Sequence, residues 1–261
     1  MKIIVCIKQV PDTTEVKLDP KTGRLIRDGV PSIINPDDKN ALEEALRIKD
    51  ENPDTTVTVV SMGPPQADVA MREALAMGAD EAILISGREF GGSDTWATSY
   101  IIATAIKKIP DYDIIFCGRQ AIDGDTAQVG PQIAEQLNIP QITYVQKLDI
   151  EGDKVIVQRQ LEDGYTVVEA KMPVLLTAIK ELNTPRYMTP KGIFEAYNKT
   201  VQVWGFNDVP VDAEKIGLKG SPTNVNRTFS PEAKGKGIML EGAEQETYKS
   251  LIAKLDEKHL L

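Results

Sequence analysis

Tyr112-Asp113-Ile114-Ile115-Phe116-Cys117-Gly118-Arg119-Gln120-Ala121-Ile122-Asp123-Gly124-Asp125-Thr126-Ala127-Gln128-Val129-Gly130-Pro131 is the stretch whose reading decides the fold. Ile114 to Cys117 within it is an unbroken apolar run, the pattern of a strand buried on both faces. A polar, glycine-punctuated loop follows, then a helix that ends near Leu137-Asn138. Gly118, Gly124 and Gly130 permit close backbone approach. Thr126 is a candidate N-cap, and the helix begins either there or only at Gly130. Free N–H groups at a helix start suit a phosphate. The segment has neither the Walker order nor the Gly-x-Gly-x-x-Gly spacing. Its spacing therefore leaves two readings open, a pyrophosphate cradle or a structural strand-to-helix loop.

The same unit repeats upstream. Lys2 to Ile7 reads as a buried strand. Residues 10–35 form an irregular excursion with a hairpin turning at Asp19-Pro20-Lys21-Thr22-Gly23. Asn35 is placed to cap a helix opened by Pro36 and running to about Glu51, with Ala41, Leu42, Ala45, Leu46 and Ile48 on its apolar face. Thr56 to Ser61 is the next strand. Gly63-Pro64-Pro65 turns into a helix that ends at Met77 with Gly78 beyond it. Glu81 to Ser86 is a third strand, and Gly91-Gly92-Ser93-Asp94 leads into a helix from Thr95 to about Lys108. This alternation predicts an α/β fold, a doubly wound, Rossmann-like parallel sheet with helices on both faces. Such sheets bind ligands beyond the carboxyl ends of their strands. Those ends carry Cys6-Ile7-Lys8, Ser61-Met62-Gly63, Ser86-Gly87 and Cys117-Gly118-Arg119. Asn35 either caps its helix or serves a nucleoside edge, and Met62 packs either on a ring or in the core. Phe90-Gly91-Gly92-Ser93-Asp94-Thr95 reads equally as an anion loop or as an ordinary cap.

Downstream the pattern changes. Ile142 to Ile150 and Val155 to Leu161 read as antiparallel partners joined at Glu151-Gly152-Asp153, with Tyr165 to Ala170 as a further addition and Pro173 to Ile179 as a buried strand. After Asn183 periodicity fades, and residues 205–240 read as extended and core-poor. An amphipathic helix closes the chain from about Gly242 to Lys258. The expected division is a nucleotide-binding domain over residues 1–204 and, over 205–261, a C-terminal arm that wraps a partner.

Composition narrows the function. A net charge of −9 disfavours nucleic acid and anionic membrane surfaces as partners. The single histidine, His259, lies in the tail, which removes histidine-based triads and histidine-containing zinc sites. Cys6 and Cys117 lack Cys-x-x-Cys spacing and read as core thiols. The apolar run Ile3 to Ile7 is too short for a signal-peptide core. No stretch approaches the roughly 20 apolar residues of a membrane span, so a cytoplasmic protein without membrane insertion is expected. Any chemistry must come from a cofactor.

Taken together, Val5-Cys6-Ile7-Lys8-Gln9-Val10-Pro11-Asp12, Asn35-Pro36, Ser61-Met62-Gly63-Pro64, Ala74-Leu75-Ala76-Met77-Gly78-Ala79-Asp80, the loop from Gly118 to Gly130 and Asn183-x-Pro185-Arg186-Tyr187 resemble the beta subunits of electron transfer flavoproteins. The resemblance spans essentially the whole chain. It implies a heterodimer with an FAD-bearing alpha subunit. It also implies a nucleotide site on Cys6, Asn35, Met62, Gly63, Cys117, Gly118, Arg119, Gln120, Ala121, Gly124, Asp125, Thr126, Ala127, Gln128 and Val129. Ordinary members hold AMP there. Gly124, where those members look to carry Asp, and the Phe90-to-Thr95 segment resemble the electron-bifurcating branch instead. In that branch a second FAD takes the place of AMP, NADH is the electron donor, and the flavin ring is expected near Asp94, Thr95 and Thr98. Electrons would pass to ferredoxin or flavodoxin and, through the alpha-subunit FAD, to a dehydrogenase. Arg119 is assigned either to a phosphate or to the flavin. Pro190 stands about where the family's partner-recognition loop carries a leucine, which points to a dedicated dehydrogenase.

Overall fold

The computed structural model describes residues 1–12, 31–226, 235 and 237–261. Strand β1 (Lys2–Cys6) lies at the centre of the main sheet. The short β2 (Gln9–Pro11) and β3 (Ser32–Ile34) pair antiparallel as the base of the expected hairpin, whose turn falls outside the described residues. Next come α1 (Pro36–Glu51), β4 (Thr56–Met62), α2 (Asp68–Met77), β5 (Glu81–Ile85), α3 (Thr95–Ile106), β6 (Ile114–Gly118) and α4 (Val129–Leu137). The antiparallel additions are β7 (Gln141–Glu151), β8 (Lys154–Gln160) and β9 (Tyr165–Lys171), and β10 (Val174–Ala178) returns to the sheet centre. The chain continues through α5 (Pro190–Asn198), β11 (Val201–Trp204) and the single turn α6 (Gly217–Gly220), and ends with α7 (Gln245–Glu257).

The nine-stranded order is β11-β5-β4-β1-β6-β10-β7-β8-β9. Pairing is parallel from β11 through β7 and antiparallel over β7-β8-β9. The fold is therefore doubly wound, as its sequence predicts. One apolar layer joins Val5, Val57 and Phe116 to Leu42 and Leu46 of α1 and Met71 of α2. The other joins Ile4, Val60 and Ile115 to Ile101 of α3 and Ile133 of α4. Helices α1 and α4, which follow the neighbouring strands β1 and β6, thus cover opposite faces. The chain changes direction between those strands, the point at which folds of this kind form a ligand crevice beyond the carboxyl ends.

Three expectations need correction. The segment after Asn183 is not irregular: α5 starts where Thr189 Oγ1 accepts the Gly192 N–H at 2.9 Å, and β11 adds to β5 in parallel register. Residues 205–225 are not core-poor. Val209 and Ile216 are buried, and the first compact unit runs to Val225, with Asn226–Leu261 as the second. Helix α7 begins at Gln245 rather than Gly242, whose φ of +81° does not suit a helix. Among the described residues no helix is long and apolar enough to cross a membrane.

Candidate functional site

The crevice is built around the first turn of α1. Asn35 is fully buried, yet its side chain makes no capping bond to α1. It reaches across the crevice instead. Its Nδ2 donates to the Gln120 carbonyl at 2.8 Å, and its Oδ1 accepts the Ile122 N–H at 3.0 Å. Pro36 opens the helix without a side-chain cap, which frees the asparagine for the loop. Capping was the simpler expectation, and the geometry overturns it.

Asp38, which sequence reasoning did not single out, performs a similar task at the crevice floor. It is buried, its Oδ2 accepts the Lys8 N–H at 2.7 Å, and its Oδ1 accepts the Gly118 N–H at 3.0 Å. Burial pushes its carboxyl up to about 7, against the lowering effect of these hydrogen bonds and of Asn35. A Cβ at Gly118 would lie 2.2 Å from Asp38 Oδ1, so the approach of α1 to β6 demands glycine there. The available signal was a pair of acids, Asp37 and Asp38, in the first turn of a helix opened by Asn35-Pro36.

Further contacts order the loop. Lys8 Nζ meets Asp123 Oδ1 at 2.6 Å, and Gln120 Nε2 donates to Asp125 Oδ1 at 2.9 Å. The Ala121 carbonyl accepts the N–H groups of Gly124 and Asp125. The Arg119 Nε lies 3.3 Å from the Asp37 carboxylate, an ion pair without a hydrogen bond among the described residues. Burial raises the Asp37 carboxyl, and Arg119 opposes that shift.

Helix α4 starts at Val129, without a side-chain cap from Gln128, and not at Thr126 or Gly130. The residues ahead of it adopt unusual backbone: φ is +48° at Asp125 and +51° at Ala127, whereas Gln128 is right-handed helical. Positive φ in a non-glycine residue such as Ala127 is uncommon and clusters at functional sites. Alternation of hand along the chain turns successive N–H groups into a concave anion seat. Among the described residues, none accepts the N–H of Thr126, Ala127, Gln128 or Val129. A Cβ at Gly124 would meet nothing within 4 Å, so the fold does not require glycine there and the space beside it is open.

The second lip is the start of α3. Thr95 Oγ1 donates to Gln128 Oε1 at 3.0 Å, joining this lip to the glycine loop. Asp94 caps α3 by accepting the Ala97 N–H at 3.0 Å, and its other oxygen accepts the N–H and Oγ1–H of Thr223 at 2.9 and 2.8 Å. Burial works against ionisation, but these bonds outweigh it and hold the carboxyl below its usual range. The Thr98 N–H bonds the Asp94 carbonyl within that first turn. Cys6 and Cys117 are in register on β1 and β6, and Met62 and Gly63 follow on the neighbouring β4. The Cys117 thiol is raised by its bond to Cys6 and by burial, and both cysteines are free. Met62 packs partly against the α3–α4 core layer. The structure thus links Asn35, Gly118, Gln120, Thr95 and Gln128 by hydrogen bonds and adds Lys8, Asp37 and Asp38, while Met62, Gly63 and Thr98 make no hydrogen bond to the glycine loop among the described residues.

Residues 22–209 match the electron transfer flavoprotein domain. The chain belongs to the electron transfer flavoprotein family, as a beta subunit. Among related electron transfer flavoprotein chains, it is 61% identical over 262 residues to the subunit beta of Thermoanaerobacterium thermosaccharolyticum, with both chains fully covered. It is 59% identical, again over the full length of both, to subunit CarD of the caffeyl-CoA reductase-Etf complex of Acetobacterium woodii. It is 52% identical, with full coverage of both, to the acryloyl-CoA reductase electron transfer subunit gamma of Anaerotignum propionicum. In this electron transfer flavoprotein beta subunit the loop residues offer an anion seat. The backbone at 126–129 presents the donors, and exposed Gly124 leaves its flank open to solvent.

Proposed function

We propose that the chain is the small subunit of a cytoplasmic heterodimer that holds FAD in the β1–β6 crevice and draws electrons from NADH. The observation that carries this reading is the set of N–H groups from Thr126 to Val129 that have no acceptor among the described residues, shaped by the positive φ at Ala127. They suit a diphosphate. The open flank at Gly124 and the Thr95–Gln128 bridge favour a ligand longer than AMP, running from the loop toward Asp94, Thr95 and Thr98. Two relatives with full-length similarity carry names that tie them to CoA-ester reductases, which supports a dehydrogenase of that class as the electron acceptor.

Bound there, FAD would supply hydride acceptance from NADH and division of the electron pair between ferredoxin or flavodoxin and, by way of the alpha-subunit FAD, the dehydrogenase. The chain's own residues bind and orient. Asn35 and Lys8 hold the loop in its binding form, Thr95 and the α3 N-terminus would meet the ring end, and Arg119 lies beside Asp37. No protein acid or base is needed, in keeping with the lone His259.

Nucleotide extraction from the copurified heterodimer tests the proposal. Two FAD per heterodimer is the expected result. One FAD with one AMP replaces it with the plain electron-carrier reading, and a heterodimer without any beta-subunit nucleotide removes both.

A further inference from the structure

In a doubly wound sheet the place between the two strands at the change of direction, facing a helix N-terminus, is where a phosphate ordinarily sits. Here that place is filled from within. The Asp38 carboxylate lies in the first turn of α1, buried, and takes the Lys8 N–H beyond β1 and the Gly118 N–H at the end of β6. The close approach of Gly118 to the Asp38 oxygen and backbone leaves no room for a second anion. Asn35, one turn before it, holds Gln120 and Ile122, so the loop leaves this floor already directed toward residues 125–129.

We propose that Asp38 is an internal anion that occupies the phosphate seat between β1 and β6 and thereby places the phosphates of a bound nucleotide on the 126–129 amides. The placement rests on the nucleotide reading above; occupancy of the seat by an anion does not. The charged and titratable groups around Asp38 agree with it. The Lys8 ammonium is paired with Asp123, the Arg119 guanidinium lies beside Asp37, Asp37 opposes the Asp38 charge without displacing the bonds that hold it, and Cys6 and Cys117 are thiols on the strand side. Among the described residues no side-chain cation bonds the Asp38 carboxylate; the Lys8 and Gly118 N–H groups, the Asn35 side chain and the α1 N-terminus hold it. Asp38 is thus a positioning residue.

The test uses the intact heterodimer with Asp38→Ala and Asp38→Asn at pH 8, in formate or in chloride of equal ionic strength. Asp38→Ala empties the seat, and formate is a small carboxylate that fits it. The expected results are an affinity for added FAD or AMP lowered about tenfold in chloride, and its recovery in formate. In nucleotide-stripped Asp38→Ala, formate raises the melting temperature more than it does in wild type. Asp38→Asn keeps the volume but offers one acceptor for two N–H groups, so its nucleotide affinity falls and formate has no effect. A formate response of Asp38→Ala no larger than that of wild type overturns the internal-anion assignment. If Asp38→Ala does not fold, wild-type nucleotide affinity in Asp38→Asn overturns it. If the melting response appears while no variant or wild type binds nucleotide, the seat stands and the nucleotide reading fails.

Discussion

At the residue scale the informative groups are those whose protonation the fold alters. Asp38 ionises near pH 7 in the folded chain, against about 3.8 in a free carboxyl, chiefly because it is buried. The folded state therefore keeps a proton over a window in which the unfolded state has released it. Stability falls as pH rises through that window, from about 4 to about 7, and levels off above it. The slope from this one group approaches about 1.4 kcal/mol per pH unit. Urea melts of wild type at pH 5 and pH 7.5 are expected to show this component, and melts of Asp38→Asn to lack it; equal slopes in the two proteins would contradict it. The cysteines divide in the same manner. Cys117 is buried and its thiol is raised by its bond to Cys6 and by burial, whereas Cys6 is only half-buried at the crevice. Since the thiolate is the reactive species, iodoacetamide at pH 7.5 is expected to label Cys6 and spare Cys117. Added FAD should slow that labelling. Mass spectrometry that finds Cys117 modified first would refute the assignment.

At the element scale the site depends on one loop held from several sides. Asn35 supplies both a donor and an acceptor to backbone groups of that loop. Asn35→Ala strands the Gln120 carbonyl and the Ile122 N–H, at a cost of about 2–4 kcal/mol. Its melting temperature and nucleotide content should fall together; a variant that loses nucleotide with an unchanged melt would mean that Asn35 acts on the ligand alone. Asp94→Ala removes the cap of α3 and the link to Thr223, and is expected to cost about 1–2 kcal/mol. Denaturant titration reads that loss directly. These contacts also show what was legible in the sequence. Strands β1, β4, β5 and β6 and helices α1 to α3 follow from apolar runs and turn residues, because burial on both faces writes an unmistakable pattern. The glycine loop was legible as a loop, but the start of α4 was not, since Thr126 offers a cap that the positive φ at Ala127 makes unusable. Asn35 was read as a cap because Asn before Pro is ordinarily one, and nothing local records a partner 85 residues away. Asp38 escaped for the same reason. Its partners Lys8 and Gly118 adjoin it only after β1 and β6 pair.

At the scale of the whole molecule the question is which part of the chain makes the site and which part meets other proteins. The first compact unit runs from Met1 to Val225 and includes residues 205–225. That segment belongs there because it is built into the second lip. Ser221 Oγ accepts the Asp94 N–H at 2.9 Å and donates to the Gly217 carbonyl at 2.7 Å, Ser93 Oγ accepts the Gly217 N–H at 3.0 Å, and Thr223 bonds Asp94. Such pairings are invisible to periodicity, since serine and threonine in a glycine-rich stretch read as linker. Asn226–Leu261 is different. Its helix α7 has no buried residue, and Tyr248, Leu251 and Ile252 are exposed. Exposed apolar side chains at helical spacing point to a partner's surface, which under the proposed function is the alpha subunit. A chain ending at Val225 is therefore expected to keep the wild-type melting transition, because every contact named around the crevice lies within the first unit. Its capture of the alpha subunit should fall by a factor of ten or more, about 1.4 kcal/mol at the least. Gel filtration of the mixed subunits separates the outcomes. Full retention of the alpha subunit would sink the arm's assigned role, and a truncated chain that loses its folding transition would show that residues 226–261 serve the fold instead.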